Sequence, residues 1–328
     1  MKIKFKDTKF FYLLQLAAVL FICIVFPLFA SAYNIHLAIL CFVWSVIAMN
    51  WNLLLGHAGI PSFGNLVFYA VGGYSSAWLA INMGVSPWVG ILVGGLLALI
   101  LGISIAFLTF RLRGVYVALF TFAFQEMLRY IVLLPEATKW TGGPIGLMRV
   151  PRFTLANFRS IYLDYYLGFV ILLINILVVY KMLNSRIGLA IKAMAQSETY
   201  AKTLGVNTFK YKLIIFIIAA FFTGIAGSFS AHYLRAVSDE YLSFMLMVSI
   251  IFMILIGGLG TFYGPIFGAF AYTIFSEYLK GVLPGEIRLL VISVAIIAIV
   301  ILFPRGILEA MHNLFRFASK SKTSKISA

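Results

Sequence analysis

The groups in this chain that could do chemistry are few and widely spaced. Of 328 residues, 10 are acidic and 4 are histidine. Glu126 and Arg129 lie at i and i+3 inside an apolar run, so on a helix they share a face and can partly neutralise each other. An ionisable residue at the centre of a membrane helix costs about 2.5–3.5 kcal/mol on insertion scales. Two readings fit such a pair: a structural pair near an interface, or a pair that faces a polar cavity and meets a zwitterionic solute. Glu277 is the other candidate membrane carboxylate.

A second group runs from Ser197 to Gly205. Ser197 can cap a helix whose first turn holds Glu198, favourable at the positive end of the helix dipole. Gly205 stands where a left-handed C-cap would end that helix. The segment fits an ordinary amphipathic connector, and it also fits a short helix whose small Ala201 suits insertion into a cleft on another protein.

Other chemistries find no residues to carry them. The sequence has no G-x-x-x-x-G-K-[ST], H-E-x-x-H or G-x-S-x-G, and His36, His57, His232 and His312 are scattered. Cys23 and Cys41 sit in apolar runs, where a free thiol behaves as a small hydrophobe. Neither a metal nor a cofactor is expected.

The elements that position these residues follow from composition. Hydrophobic residues make up 63% and charged residues 11%, against roughly 45–50% and 25% in soluble domains. Mean hydropathy is +1.04. Lipid must therefore be part of the solvent. Net charge is +15, yet no basic stretch is interleaved with aromatics outside the apolar runs, so nucleic acid is not expected as a partner.

A bilayer crossing needs about 20 apolar residues, and turns gather Gly, Pro, Asn and Ser. Ten spans are predicted at 10–31, 33–55, 65–83, 87–110, 114–135, 164–183, 212–234, 242–258, 264–280 and 287–304. Ala30-Ser31-Ala32 resembles a signal-peptidase site, but the apolar run before it is long enough to span, so a retained first helix is expected. With the N-terminus inside, most of the 25 Lys and Arg fall on the cytoplasmic side, and an even span count returns the basic tail there. The expectation is one transmembrane domain, 1–318, with an external loop 136–163, a cytoplasmic loop 184–211, a basic tail 319–328, and both termini cytoplasmic. Between the second and third spans, Gly56, Gly59, Pro61 and Gly64 make the chain irregular. Such backbone at membrane depth survives only where protein buries it or water reaches it. The segment fits a plain turn with close packing, and it fits a loop beside a solute path.

Several of these segments resemble one family, the branched-chain amino-acid permeases of ABC importers. Glu198, Ala201 and Gly205 match the spacing of the E-x-x-A-x-x-x-G signature, with Tyr200 where a second Ala is frequent. Gly56-His57-Ala58-Gly59 through Ser62-Phe63-Gly64-Asn65 to Gly72-Gly73-Tyr74 is similar to another family segment, with Asn65 where His is usual. Arg111-Leu112-Arg113-Gly114-Val115-Tyr116, Thr121 to Arg129, Thr141-Gly142-Gly143 with Gly146-Leu147, Gly257-Gly258-Leu259-Gly260-Thr261 with Gly264-Pro265, and Phe303-Pro304-Arg305-Gly306 follow in family order.

That resemblance implies an all-α polytopic fold of about ten transmembrane helices, similar to type II (vitamin B12-class) importer permeases. Glu198, Ala201 and Gly205 would couple to the ATPase. Asn52, Ser62, Asn65, Glu126 and Arg129 are candidates for the translocation path, and Gly59, Gly64, Gly257, Gly258, Gly260 and Gly264 are structural. The implied partners are two ABC ATPase subunits that bind the ATP, a second and non-identical permease chain, an extracytoplasmic substrate-binding protein and membrane lipid. The chain would be a transport subunit rather than an enzyme. A permease for urea, amides or other small polar solutes is an alternative. An ion-coupled secondary transporter is another, and would favour unwound mid-membrane helices around an ion site.

Overall fold

In the computed structural model the described residues are 22–112, 114–153, 160–282, 284–302 and 306. Most of the first expected span, Arg113, Phe303-Pro304-Arg305 and the tail 319–328 lie outside them. The chain is a succession of helices. Residues 22–29 form α1. Then come α2 (Ala32–Asn52), prolonged by a π-helical turn Leu53–His57, α3 (Asn65–Asn82), α4 (Pro87–Phe110) and α5 (Val115–Leu133). A short α6 (Thr138–Thr141) precedes α7 (Ser160–Leu183), α8 (Arg186–Gln196) and α9 (Glu198–Thr203). The chain continues with α10 (Thr208–Leu234), α11 (Phe244–Gly257), α12 (Gly264–Lys280) and α13 (Gly285–Leu302).

Local chemistry sets several boundaries. Ser31, in the stretch that resembles a cleavage site, is the N-cap of α2 and accepts from the Asn34 amide at 3.3 Å. Helix α10 begins four residues before the expected 212, because Asn207 caps it by accepting from Lys210 N at 3.1 Å. Among the described residues, five helices are long and apolar enough to cross a membrane: Ala32–His57, Pro87–Phe110, Val115–Leu133, Ile161–Leu183 and Thr208–Leu234. Phe244–Gly257 is a shorter apolar helix.

The centre of the molecule is α10, packed between α3 and α4. Lipid gives helices no hydrophobic reason to associate, so close van der Waals fit must do it, and small residues permit that fit. A Cβ on Gly72 would overlap the carbonyl of Gly224, and Gly94 and Ala98 close the same contact from α4. Ser228 adds a hydrogen bond from its hydroxyl to Gly72 O at 2.9 Å. The α11–α12 hairpin uses the same device, where Gly257 meets the backbone of Gly264 and Gly268 meets Met253 O.

The segment after α5 is not purely helical. Leu147 and Met148 pair antiparallel with Val237 and Ala236, a two-rung ribbon (β1, Leu147–Met148; β2, Ala236–Val237). Val150 and Phe153 beyond it are fully buried. Phe153 lies against Trp88, Phe229 and His232. The His232 Nδ1–H donates to Pro151 O at 2.7 Å, leaving Nε2 to accept from Ser76 at 2.8 Å. The loop is thus fastened to α3 and α10.

The glycine contact makes a direct demand. Gly72→Val would push α3 off α10 and should cost at least the roughly 1–3 kcal/mol typical of overpacking a core. The monodisperse yield and melting temperature of detergent-purified protein should both fall, while Leu97→Val on the exposed face of α4 should change neither. A Gly72→Val protein that melts like wild type would remove Gly72–Gly224 from the list of contacts that hold the bundle.

Candidate functional site

Ser185 starts α8 by accepting from Ile187 N at 3.1 Å. Ser197 ends α8 and caps α9, accepting from Tyr200 N at 3.2 Å. At the other end, Gly205 N donates to Lys202 O and Val206 N to Ala201 O, both at 3.0 Å, with Gly205 at φ +81°. This is the 6→1, 5→2 Schellman closure, which needs a left-handed residue at that position. The six-residue helix is therefore fixed at both ends by the residues the sequence singles out.

Glu198 and Ala201 face inward. Ala201 is buried, and Glu198 pairs with Lys202 at 3.0 Å and with Lys212 on α10 at 2.7 Å. Burial pushes the Glu198 carboxyl up, but the hydrogen bonds and charges of Lys212 and Lys202 outweigh it and hold the group below the ordinary carboxylate range. The outward face carries different residues. Tyr200 and Leu204 are 66% and 65% exposed, and Leu189 on α8 is exposed as well. Sequence reasoning missed this surface, and its signal was large apolar side chains between lysines in a short polar loop.

Beside α9 lies a cavity of about 280 Å³ whose lining includes Gly59, Pro61, Leu112, Val117, Met194 and Glu198. It brings together the irregular loop after α2, the turn before α5 and α8–α9. Gly59 (φ +64°) stacks on Ala195 of α8. Further in, the two glycine-rich loops cross. Asn52 accepts from Gly260 N at 2.8 Å and donates to Thr261 O at 2.8 Å, while Gly56 lies against the Gly260 backbone. Gly258 (φ +107°) and Gly260 (φ +75°) shape the second loop, and Gly306 touches Gly258. Trp51 donates to Ser62 O at 2.6 Å, and Ser62 is buried. Gly64 packs on the backbone of Thr121. Asn65 is fully buried, with neither side-chain polar atom hydrogen-bonded.

Helix α5 carries the remaining candidates. Most of its residues are exposed or half-buried, and it meets the bundle through a seam of polar residues spaced by four. Thr121 Oγ1 accepts from Phe63 N at 2.9 Å, and Gln125 donates to Leu242 O at 3.3 Å. Arg129 does not pair with Glu126. Its guanidinium reaches Asp239 at 3.2 Å instead, because the 3₁₀ turn Asp239–Leu242 packs between α3 and α5 and presents a carboxylate there. Glu126 Oε1 is buried without a hydrogen-bond partner. The carboxylate inventory also grows: Asp164 on α7 is 1% exposed and neither oxygen is hydrogen-bonded. Glu277 pairs with Lys280. Asn50 and Asn175, buried in apolar helices, bond each other at 3.3 Å. The two asparagines were hidden in runs that read as uniformly apolar.

Compared with known proteins, residues 34–300 match the model of a family described as branched-chain amino acid transport system / permease component. The high-affinity branched-chain amino acid transport system permease protein LivM of Escherichia coli (strain K12) is 27% identical over 320 residues, covering 90% of this chain and 74% of that protein. The LivM of Salmonella typhimurium is 26% identical over 331 residues, covering 93% and 77%. No solved structure matches the chain.

The lysine pair on Glu198 sets a sign for pH. A carboxyl held below its unfolded value stabilises the fold above the unfolded pKa, and that contribution fades as pH drops through the folded one. Amides 199–206 of the wild type should keep their hydrogen-exchange protection down to about pH 5 and lose it progressively below, as an unperturbed Glu titrates near 4.3. Glu198→Gln should be less protected already at pH 7 and change little on acidification. Matching pH profiles for the two would mean that the ion pairs do not hold α9.

Proposed function

The chain belongs to the branched-chain amino acid transport permease family, is a multi-pass membrane protein, and on that premise we propose that it is the permease subunit of an ATP-binding-cassette importer. In this reading it forms the path for branched-chain or related amino acids, and separate subunits bind and hydrolyse ATP. A second permease chain and an extracytoplasmic binding protein complete the transporter. The observation that carries the reading is α9: a helix closed at both ends, tied to α10 through Glu198–Lys212, and offering Tyr200 and Leu204 outward. A rigid peg of that kind can transmit a push from a docked ATPase into the bundle, whereas a loose connector would absorb it.

The same geometry offers a route inward. Movement of α8–α9 bears on Gly59 through Ala195, and the Gly59 loop is continuous with the crossing of the two glycine-rich loops at Asn52. Alternating access would be a shift between two packings at that crossing, biased by ATP in the partner subunits. Ten spans with both termini cytoplasmic are part of this proposal, supported by the distribution of lysine and arginine along the sequence.

Two experiments check it. In a background lacking Cys23 and Cys41, Thr199→Cys should react with an impermeant thiol reagent only from the cytoplasmic side, and Lys139→Cys only from outside. Labelling of both from one side would break the span count and the placement of α9. Separately, Tyr200→Ala with Leu204→Ser should weaken co-purification of the ATPase subunits and lower uptake, because interface anchors of this size carry roughly 1–2 kcal/mol or more each. The variant should insert at wild-type levels, as both side chains are exposed. Full ATPase retention and normal uptake would return α9 to the status of a connector.

A further inference from the structure

The end of α5 opposite the α9 cavity carries a plus and a minus charge in unusual surroundings. Val117 lines that cavity, and Arg129 stands twelve residues further on, about 18 Å along the helix. The side chains of Arg129 and Asp239 are 33% and 18% exposed, so the pair is accessible without being fully hydrated. Arg129 places both Nε and Nη2 on one carboxylate oxygen, Oδ2, at 3.3 and 3.2 Å. That edge of a guanidinium is built to hold two oxygens side by side, so its forked geometry is only half used.

The neighbouring groups hold hydrogen-bonding capacity in reserve. Glu126 Oε1 and the Tyr74 hydroxyl are buried without hydrogen-bond partners, and Gln125 Oε1 is in the same condition one residue before Glu126. Tyr74 is on α3, which packs against the turn Asp239–Leu242. Buried polar atoms left unpaired cost free energy, and their presence around one ion pair calls for an occupant that would satisfy them.

We propose that Arg129 and Asp239 form a subsite for the backbone of an α-amino acid, taken between the two halves of the ion pair. The substrate carboxylate lies on the Nε–Nη2 edge of Arg129, and the ammonium sits against Asp239. An ammonium has three protons to donate, and Asp239, Glu126 Oε1 and the Tyr74 oxygen supply three acceptors. The exchange leaves neither protein charge unpaired, which is what makes opening a semi-buried ion pair feasible. It also removes one of the two polar ties between α5 and the turn Asp239–Leu242, leaving Gln125 on Leu242 O, so occupancy bears on how firmly α5 is held. This inference rests on the reading of the chain as an amino-acid permease and adds the place where the solute's charged groups are met.

The test uses the purified full-length chain and, separately, the assembled transporter. Leucine at tens of millimolar should raise the melting temperature of the chain, while leucinamide and N-acetyl-leucine, which lack one charge each, should not. Arg129→Gln and Asp239→Asn should each abolish the shift. Arg129→Lys keeps the ion pair but loses the fork, so it should melt like wild type without leucine and still lose the shift. In the assembled transporter, Arg129→Lys and Asp239→Asn should raise the KM for uptake by roughly tenfold or more, the worth of a charge-assisted hydrogen bond, with ATPase co-purification unchanged. The double variant Arg129→Gln with Asp239→Asn should not recover. Recovery in the double variant, or equal shifts from all three compounds, would make the pair a structural clasp and overturn the subsite. Normal uptake in every variant would overturn it while leaving the permease reading intact. A leucine shift lost in the variants, beside a wild-type transporter that moves no amino acid, would support the subsite and overturn the transport reading.

Discussion

Hydrocarbon offers no hydrogen bonds, and that single fact organises this molecule. Every backbone amide away from water must find its partner within the chain, and every departure from a helix must be answered by a side chain or a neighbouring loop. The clearest case is Asn52. It stands where α2 loosens into a π turn, and its amide satisfies Gly260 N and Thr261 O in a loop some two hundred residues away. Trp51 does the same for Ser62 O, and Thr121 for Phe63 N. The irregular segments are held from outside because they cannot hold themselves.

The same constraint explains why glycine is concentrated where helices cross. With no hydrophobic pressure between helices in lipid, stability comes from contact distance, and contact distance from the absence of side chains. Helix α10 approaches α3 and α4 at Gly72, Gly94 and Gly224. This centre is closely packed and buried. Helix α5, by contrast, buries only Val117, Thr121 and Gln125 fully and is held by hydrogen bonds and one partly exposed ion pair. Helix α5 is therefore fastened to the bundle more by polar contacts than by close packing.

The sites proposed for coupling to an ATPase and for the solute lie at opposite ends of that helix. At one end, α9 is locked to α10 by Glu198 and bears on the Gly59 loop through α8. At the other, Arg129 meets Asp239 across a turn that belongs to the α10–α11 connection.

By itself the sequence determined the solvent, the helices and the local caps. Apolar runs of bilayer length, glycine and proline between them, and a Ser-to-Gly helix of one and a half turns are short-range features, readable because their physics is short-range. The expected helix bounds agree with the structure within a few residues wherever they fall among the described residues, and α9 ends at the expected cap. Partner choice was decided only by tertiary structure. Glu126 and Arg129 share a helix face, yet Arg129 pairs with Asp239, which lies 110 residues away. Spacing fixes which side chains are neighbours on one helix. It carries no information about which turn of the chain will be brought beside them, and the opposite charge that the fold brings within reach decides the pair.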